Sequence, residues 1–381
     1  MHGPPPTIPG LLADGGLAGD FRHEVAELLQ RKHTGFPGAQ PVSFERAHLQ
    51  TLCQEDYFLC EKTDGIRCLL YCTVGDDQEE IHYLIDRKNN YYYQDPFHLP
   101  HQADPTLMKF HKETLLDGEL VTDRYKDGTE VKRFLIFDCI ILDGELLSKK
   151  PFDKRIGRVQ AYVIKPLNQY LRNNPEAKKS RPYEMVLKDM DKPYALDEMF
   201  SKKLPNLPHG NDGLVFTCKN GPYQFGTDDQ ILKWKPANEN SVDFKLQLGA
   251  FPMWDPGDGA GPVEDYDAVP ELNLCIHHSN GDYRKFADLF VTDDEWEAMK
   301  GMNQQLDGRI IECYVADSGH WRFKKEPDGT PRFRDDKNDA NHVSVMRKVI
   351  KSIEDGVTEQ DLREHSLMIR EGWKKRHPEE T

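Results

Sequence analysis

From about residue 57 to residue 236, apolar side chains either alternate with polar ones or gather into short unbroken runs. Both patterns predict strands. Tyr57-Phe58-Leu59-Cys60 and Cys68-Leu69-Leu70-Tyr71-Cys72-Thr73 bracket the hydrophilic stretch Glu61-Lys62-Thr63-Asp64-Gly65-Ile66-Arg67. Further strand-like runs occupy residues 81–87, 114–121, 133–142, 183–190, 214–217 and 231–235, and Asp127-Gly128 reads as a hairpin turn. Helical spacing is rarer. Asp20 ahead of Phe21, Val25, Leu28 and Leu29 predicts a short capped helix, and residues 149–158 open a basic helix running to about Leu171. Residues 236–241 read as a domain boundary. Beyond them, short strands at 242–248, 272–277, 310–315 and 321–325, broken by Gly, Pro and Asp, predict a small antiparallel barrel. The acidic, Gly- and Pro-rich stretch 252–269 is expected to be a mobile loop. Val343, Met346, Val349, Ile350 and Ile353 mark one apolar helix face, and Thr358-x-x-Asp361 caps a second helix carrying Leu362, Met368, Ile369 and Trp373.

Composition narrows the class. A chain of 381 residues with 38% hydrophobic and 30% charged side chains is globular and long enough for two domains. No apolar run approaches the roughly 20 residues a bilayer span needs. The opening Met1-His2-Gly3-Pro4-Pro5-Pro6 lacks a signal-peptide pattern, so neither a membrane nor secretion is expected. Eight cysteines without a Cys-x-x-Cys pair fit free buried thiols in a reducing compartment. The net charge of −15 argues against broad binding to nucleic acid but leaves room for one local basic cleft.

The candidate chemistry starts at Lys62. A lysine at a strand end is partly desolvated, which lowers its pKa and makes it a nucleophile; a bland surface turn is the alternative. Arg67 returns a fixed charge to the same neighbourhood. Asp86-Arg87 followed by Tyr91-Tyr92-Tyr93 suits ribose or phosphate contacts and base stacking, or equally an ordinary ion pair beside an aromatic cluster. Glu119 beyond Gly118 suits a ribose hydroxyl or a hydrated Mg²⁺. The period-2 pattern of Leu232-Lys233-Trp234-Lys235 sets two lysines on one face, an arrangement that asks for an anion. Their repulsion would help keep Lys62 neutral. The basic face near Lys154 is either a solvated helix or a phosphate-docking surface.

Taken in order, these residues resemble the covalent nucleotidyltransferases and, among them, the mRNA guanylyltransferases of the stand-alone fungal type, over residues 35–341. The resemblance implies an α+β fold: a nucleotidyltransferase domain of antiparallel sheets with flanking helices (1–238), and an OB-fold barrel (239–341). Helices within 342–381 would pack back on the first domain or on the hinge. It implies Lys62 as nucleophile in Lys-x-Asp-Gly-x-Arg and Arg67 near the ribose. Asp86-Arg87 falls at a third motif, Glu119 is a ribose- or metal-side carboxylate, and Asp212 lies near the reacting phosphate. Lys233 and Lys235 match an α-phosphate clamp, and Lys188 falls where a guanine-reading lysine stands. Arg332, Arg334, Asp336 and Lys337 match Arg-x-Arg-x-Asp-Lys with Asn341 behind it. The segment Phe36-Pro37-Gly38-Ala39-Gln40-Pro41-Val42-Ser43 is like capping enzymes and unlike DNA ligases. One departure stands out: Trp321 and Phe323 precede an extra hairpin-like stretch, 326–331, before the arginines.

What the resemblance implies chemically is a two-step transfer with Mg²⁺ or Mn²⁺. GMP from GTP joins Lys62 with loss of pyrophosphate, then passes to a 5′-diphosphate RNA end to make the cap. Asp64, Glu119 and Asp212 are the carboxylates for metal or ribose. A separate RNA 5′-triphosphatase, the phosphorylated C-terminal domain of RNA polymerase II and a nuclear location follow from the same resemblance. Two other readings are weighed beside it: an ATP-using polynucleotide ligase, and a non-catalytic module docking the polymerase tail.

Overall fold

The computed structural model describes residues 7–380 apart from 237, 238, 258, 260, 317, 327, 336 and 355. Two compact units emerge: one runs to Trp234 and resumes at Glu359, and the other is Lys235–Thr358.

Among the described residues of the larger unit the strands are β1 (Leu11–Leu12), β2 (Ala39–Ser43), β3 (Tyr57–Thr63), β4 (Ile66–Val74), β5 (Glu80–Ile85) and β6 (Tyr91–Tyr93), then β7 (Thr114–Arg124), β8 (Glu130–Leu142), β9 (Glu145–Leu146), β10 (Glu184–Leu187), β11 (Asn211–Cys218) and β12 (Gly226–Trp234). They form two sheets. The first has the order β1-β6-β5-β4-β7-β8-β10 with β9 on β8, and the second the order β2-β12-β11-β3. Pairing is antiparallel except where β10 joins β8 and β2 joins β12.

The unbroken apolar run of β4 follows from its central place. Cys68, Leu70 and Cys72 point into one core with Leu116, Phe134 and Val159, while Leu69 and Tyr71 point into another with Leu115, Ile140, Ala39 and Tyr223. A strand buried on both faces has no polar side to show. The second of these cores includes residues of both sheets, so it lies between them.

Gly65 stands where the chain passes from the second sheet to the first, since β3 and β4 do not pair with each other. A Cβ there would lie 2.4 Å from the Leu120 carbonyl oxygen, so only glycine lets the crossing hug β7. At the N-terminus, Asp14 rather than Asp20 caps the first helix (Gly15–Leu28). Its Oδ1 accepts from the Gly16 and Leu17 amides, and a carboxylate one turn further in has no free amides to meet. The expected basic helix is broken into Phe152–Arg158, a wider-wound turn Val159–Ile164, and Lys165–Asn173.

In the smaller unit the described strands are β13 (Ser241–Leu248), β14 (Met253–Trp254), β15 (Val263–Glu264), β16 (Leu272–His277), β17 (Tyr283–Asp288), β18 (Ile310–Val315) and β19 (Trp321–Phe323). A sheet ordered β17-β16-β13-β18-β19 curls until Leu289, just past β17, bridges Trp321 at the head of β19. The Phe290 amide donates to the Trp321 carbonyl at 2.9 Å across the same seam. That closure makes the barrel, an OB-type fold. Val242, Phe244, Leu274, Ile311 and Phe323 fill it, and the helix Asp293–Gly301 adds Trp296 and Met299. The stretch expected as a loose loop carries the short hairpin β14–β15.

The two C-terminal helices, expected to pack on the first domain or on the hinge, fall in different units. Val343–Glu354 lays Met346, Val349 and Ile350 on the barrel core, because its apolar face is matched there. Glu359–Arg376 belongs to the larger unit, where Leu362, Ile369 and Trp373 are buried and Arg46 pairs with Asp361.

Candidate active site

A pocket of about 130 Å³ opens in the larger unit, with Lys62, Arg67, Arg87, Glu119, Lys188 and Tyr223 among its lining. Ala39 and Pro41 of the extended proline-rich segment also line it, because β2 pairs in parallel beside β12. The rest of the wall is largely apolar, including Phe137, Phe152, Val215 and Ile231.

Lys62 is near the end of β3. Its Nζ donates to Asp212 Oδ1 at 2.7 Å, and its side chain is 25% exposed. The lysine is therefore held by a carboxylate from β11, where the sequence alone suggested only partial desolvation at a strand end. Arg67 is deeper. Its Nε and Nη2 donate to Asp117 at 3.0 and 2.6 Å, and Nη1 donates to the Ala39 carbonyl. Burial works against the Arg67 charge, yet Asp117 outweighs it and raises its pKa. Tyr223 donates to Asp117 at 2.5 Å and accepts from the Ala39 amide at 3.0 Å, so the Arg67–Asp117 pair is fixed from both sides. Asp138 stands directly across from Asp117 in the β7–β8 ladder and has its own partner, Arg155, at 2.7 and 2.8 Å. Two buried carboxylates can face each other here because each brings a guanidinium.

Glu119, two residues along from Asp117, accepts from the Gly65 amide at 3.2 Å. Burial raises its pKa despite Lys188 and Lys62 nearby. Lys188 follows β10 and reaches β3, donating to Thr63 Oγ1 and standing 3.4 Å from Glu61 Oε1. Burial disfavours its charge, but Cys60, Glu61 and Glu119 outweigh this and raise its pKa.

The remaining expected site residues divide. Asp86 is spent on its own turn, accepting from the Asn90 amide at 2.8 Å and the Asn90 side chain at 3.0 Å, so Arg87 alone of that pair lines the pocket. Lys233 lies across from Val215, which in turn lies across from Cys60, so Lys233 shares the face of two pocket-lining side chains. Lys235 directly follows the end of β12 and opens the smaller unit. Asp64 is exposed, its amide tied to the Gly210 carbonyl at 2.9 Å. In the smaller unit Arg332 donates to Glu326 at 3.1 Å, Arg334 to Asp243 at 3.3 Å, and Lys337 also to Asp243. Asp336 lies outside the described residues.

Residues 6–237 match the family described as mRNA capping enzyme, catalytic domain, and residues 239–363 match mRNA capping enzyme, C-terminal domain. The chain belongs to the mRNA capping enzyme family. Its relatives include the mRNA-capping enzyme subunit alpha of Neurospora crassa, 42% identical over 96% of this chain and 93% of that protein. The Schizosaccharomyces pombe protein of the same name is also 42% identical, over 96% and 89%. The Saccharomyces cerevisiae one is 35% identical over 97% and 87%.

Within this member of the capping enzyme family, sequence reading missed Asp117, Tyr223, Glu61, Thr63 and His209. Asp117 carried a signal, standing in the same Asp-Gly-Glu as Glu119. Tyr223 carried none, being 106 residues from its partner. A further cluster has ligand atoms close enough for a metal: His101, His111 and Asp143. However, His101 Nδ1 accepts the Ala103 amide, so its Nε2 bears the proton it gives to Asp143 at 3.1 Å. That leaves no lone pair for a metal, and the cluster is a hydrogen-bonded clamp.

Proposed function

We infer that this capping enzyme is the guanylyltransferase: it takes GMP from GTP onto Lys62 and passes it to a 5′-diphosphate RNA end. The observation that carries the reading is Lys62 Nζ held by Asp212 in a pocket that Arg67, Arg87, Glu119 and Lys188 also line. In the first step one proton moves from the Lys62 ammonium to Asp212. The freed nitrogen pair then attacks the α-phosphorus, the bond to the bridging oxygen breaks, and pyrophosphate leaves. The second proton is lost to solvent as the phosphoramidate forms. In the second step the RNA β-phosphate oxygen attacks the same phosphorus and Lys62 leaves, taking a proton back.

Arg67, preset by Asp117 and Tyr223, suits the ribose, and Arg87 suits the phosphates. Lys188 suits the O6 and N7 acceptors of guanine. Lys233, on the pocket face of β12, is the α-phosphate ligand. We assign Arg332, Arg334 and Lys337 to the pyrophosphate, for which each would exchange its present carboxylate.

A divalent cation fits this donor set. Burial disfavours the Glu119 charge, and this carboxylate would hold a hydrated Mg²⁺ or Mn²⁺ that polarises the α-phosphate. The name shared by the fungal relatives, subunit alpha, supports a second subunit, which we take to be an RNA 5′-triphosphatase. The phosphorylated polymerase tail is the further partner proposed, in the nucleus. The surface open to it near Lys154 is smaller than the sequence suggested, because Arg155 is buried on Asp138 and Arg158 pairs with Glu145 at 2.6 Å. Among the described residues no helix is long and apolar enough to cross a membrane.

The test is covalent labelling: protein, α-labelled GTP and Mg²⁺ or Mn²⁺, then denaturation. Label from GTP but not ATP, absent in Lys62→Ala, is the expected result. Folded wild type that takes no label from either nucleotide would overturn the reading, and label from ATP alone would return it to the ligases.

A further inference from the structure

Lys188 is held in its charged form by a chain of buried groups that the transfer chemistry itself does not use. Its side chain is 5% exposed, yet Glu61, 10% exposed, stands 3.4 Å from Nζ. Glu61 adjoins Lys62 in β3, where alternate side chains point to opposite sides, so it is free of the nucleophile's contacts. Behind Glu61 lies His209, its Nε2 3.7 Å from Glu61 Oε1 and its Nδ1 donating to Asp123 at 2.7 Å. Asp123 is itself buried and forms an ion pair with Arg133 at 3.1 Å. Burial disfavours a charge on His209, but Asp123 and Glu61 outweigh it and push its pKa up to about 9. Burial would raise Glu61, but His209 and Lys188 hold it below the usual carboxylate range.

The charge state of Lys188 matters because an ammonium only donates, while a neutral amine can also accept. Guanine presents two acceptors on its O6/N7 edge, whereas adenine replaces O6 with the N6 amino donor. A donor-only group therefore accepts guanine and leaves adenine facing an unmatched buried charge. We propose that Glu61, backed by His209, is a specificity-determining positioning residue: it fixes Lys188 as an ammonium aimed at the base and so sets the preference for GTP over ATP. The inference rests on the guanylyltransfer reading and on Lys188 meeting the base.

The experiment measures lysyl-nucleotide formation over a range of GTP and of ATP concentrations, with Glu61→Gln and His209→Gln beside wild type. Glu61→Gln keeps the shape and removes the charge. It is expected to raise KM for GTP and to cut the GTP-over-ATP ratio of kcat/KM by roughly ten- to a hundredfold. His209→Gln should move the ratio the same way by less. A merely structural role would lower both nucleotides alike and leave the ratio standing, and that result overturns the proposal. Should Glu61→Gln fail to fold, the ratio in His209→Gln decides alone: unchanged, it also overturns the proposal. Failure of the wild type to label at all would instead sink the guanylyltransfer reading, so the two failures are distinct.

Discussion

In the proposed reaction Asp212 takes the proton of Lys62, and the consequence is testable at that one contact. Asp212→Asn keeps a hydrogen-bond acceptor but cannot take the proton. The rate of label appearing on the protein should fall by about 10²- to 10⁴-fold, with Tm little changed because the pair is partly solvated. The buried pair below behaves oppositely. Arg155→Ala leaves Asp138 charged and unmatched across from Asp117, and should cost about 3–5 kcal/mol in denaturant unfolding. At this scale the sequence was legible wherever chemistry is written into adjacent residues, as in Lys-x-Asp-Gly-x-Arg. It was opaque for Asp86, where a local turn outbid the ligand role, and for Arg155, which looked like surface charge.

Elements are locked together here by a few contacts whose loss should be visible. Gly372 in the C-terminal helix is one. A Cβ there would lie 2.1 Å from the Cys53 carbonyl oxygen of the helix Arg46–Gln54. Alanine would gain about 1 kcal/mol of helix propensity, yet Gly372→Ala should lower Tm and speed proteolysis near the C-terminus, because the clash is with backbone. Glu80 at the start of β5 is another lock. It accepts the Leu99 amide at 2.6 Å and stands 2.7 Å from His98 Nδ1. Burial opposes its charge, but His82 and His98 outweigh this and lower its pKa to about 2. A depressed carboxyl stabilises the fold above its unfolded value near 4.5 and loses that contribution as pH falls through about 2. Glu80→Gln should therefore be less stable than wild type by roughly 3 kcal/mol at pH 7, with the gap closing between pH 4.5 and 2. A gap that persists at pH 2 would assign the loss to packing. Most strand positions were readable from period and run length, β17 being missed; which strands share a sheet was not, and β3 and β4, adjacent in sequence, lie in different ones.

For the whole molecule, two units with separate hydrophobic cores should not melt as one. Calorimetry is expected to resolve two transitions. GTP with Mg²⁺ should shift the one assigned to the larger unit, by about 2.7 kcal/mol of added stability at one hundred times Kd. A single transition that moves as a whole would show the units to be coupled. Against a net charge of −15, local gathering of cations is what counts, and Lys62, Arg67, Arg87 and Lys188 come together in the larger unit's pocket. Surface binding of RNA at large should be weak and strongly salt-dependent.

By itself the sequence determined the α+β class, four of the five strands of the barrel sheet and the Lys62 motif, since these depend on periodicity, turn residues and motifs read within a few positions of one another. It also placed the residues that the larger unit's pocket gathers, Arg67, Arg87, Glu119 and Lys188. Only the tertiary structure decided that Asp212 holds Lys62, that Tyr223 and Asp117 preset Arg67, and that Glu61 and His209 keep Lys188 charged. Those pairings join residues up to 150 positions apart. A buried charge takes whatever partner the fold brings within about 4 Å, because desolvation leaves it no alternative in water, and that partner's distance along the chain leaves no trace in local pattern.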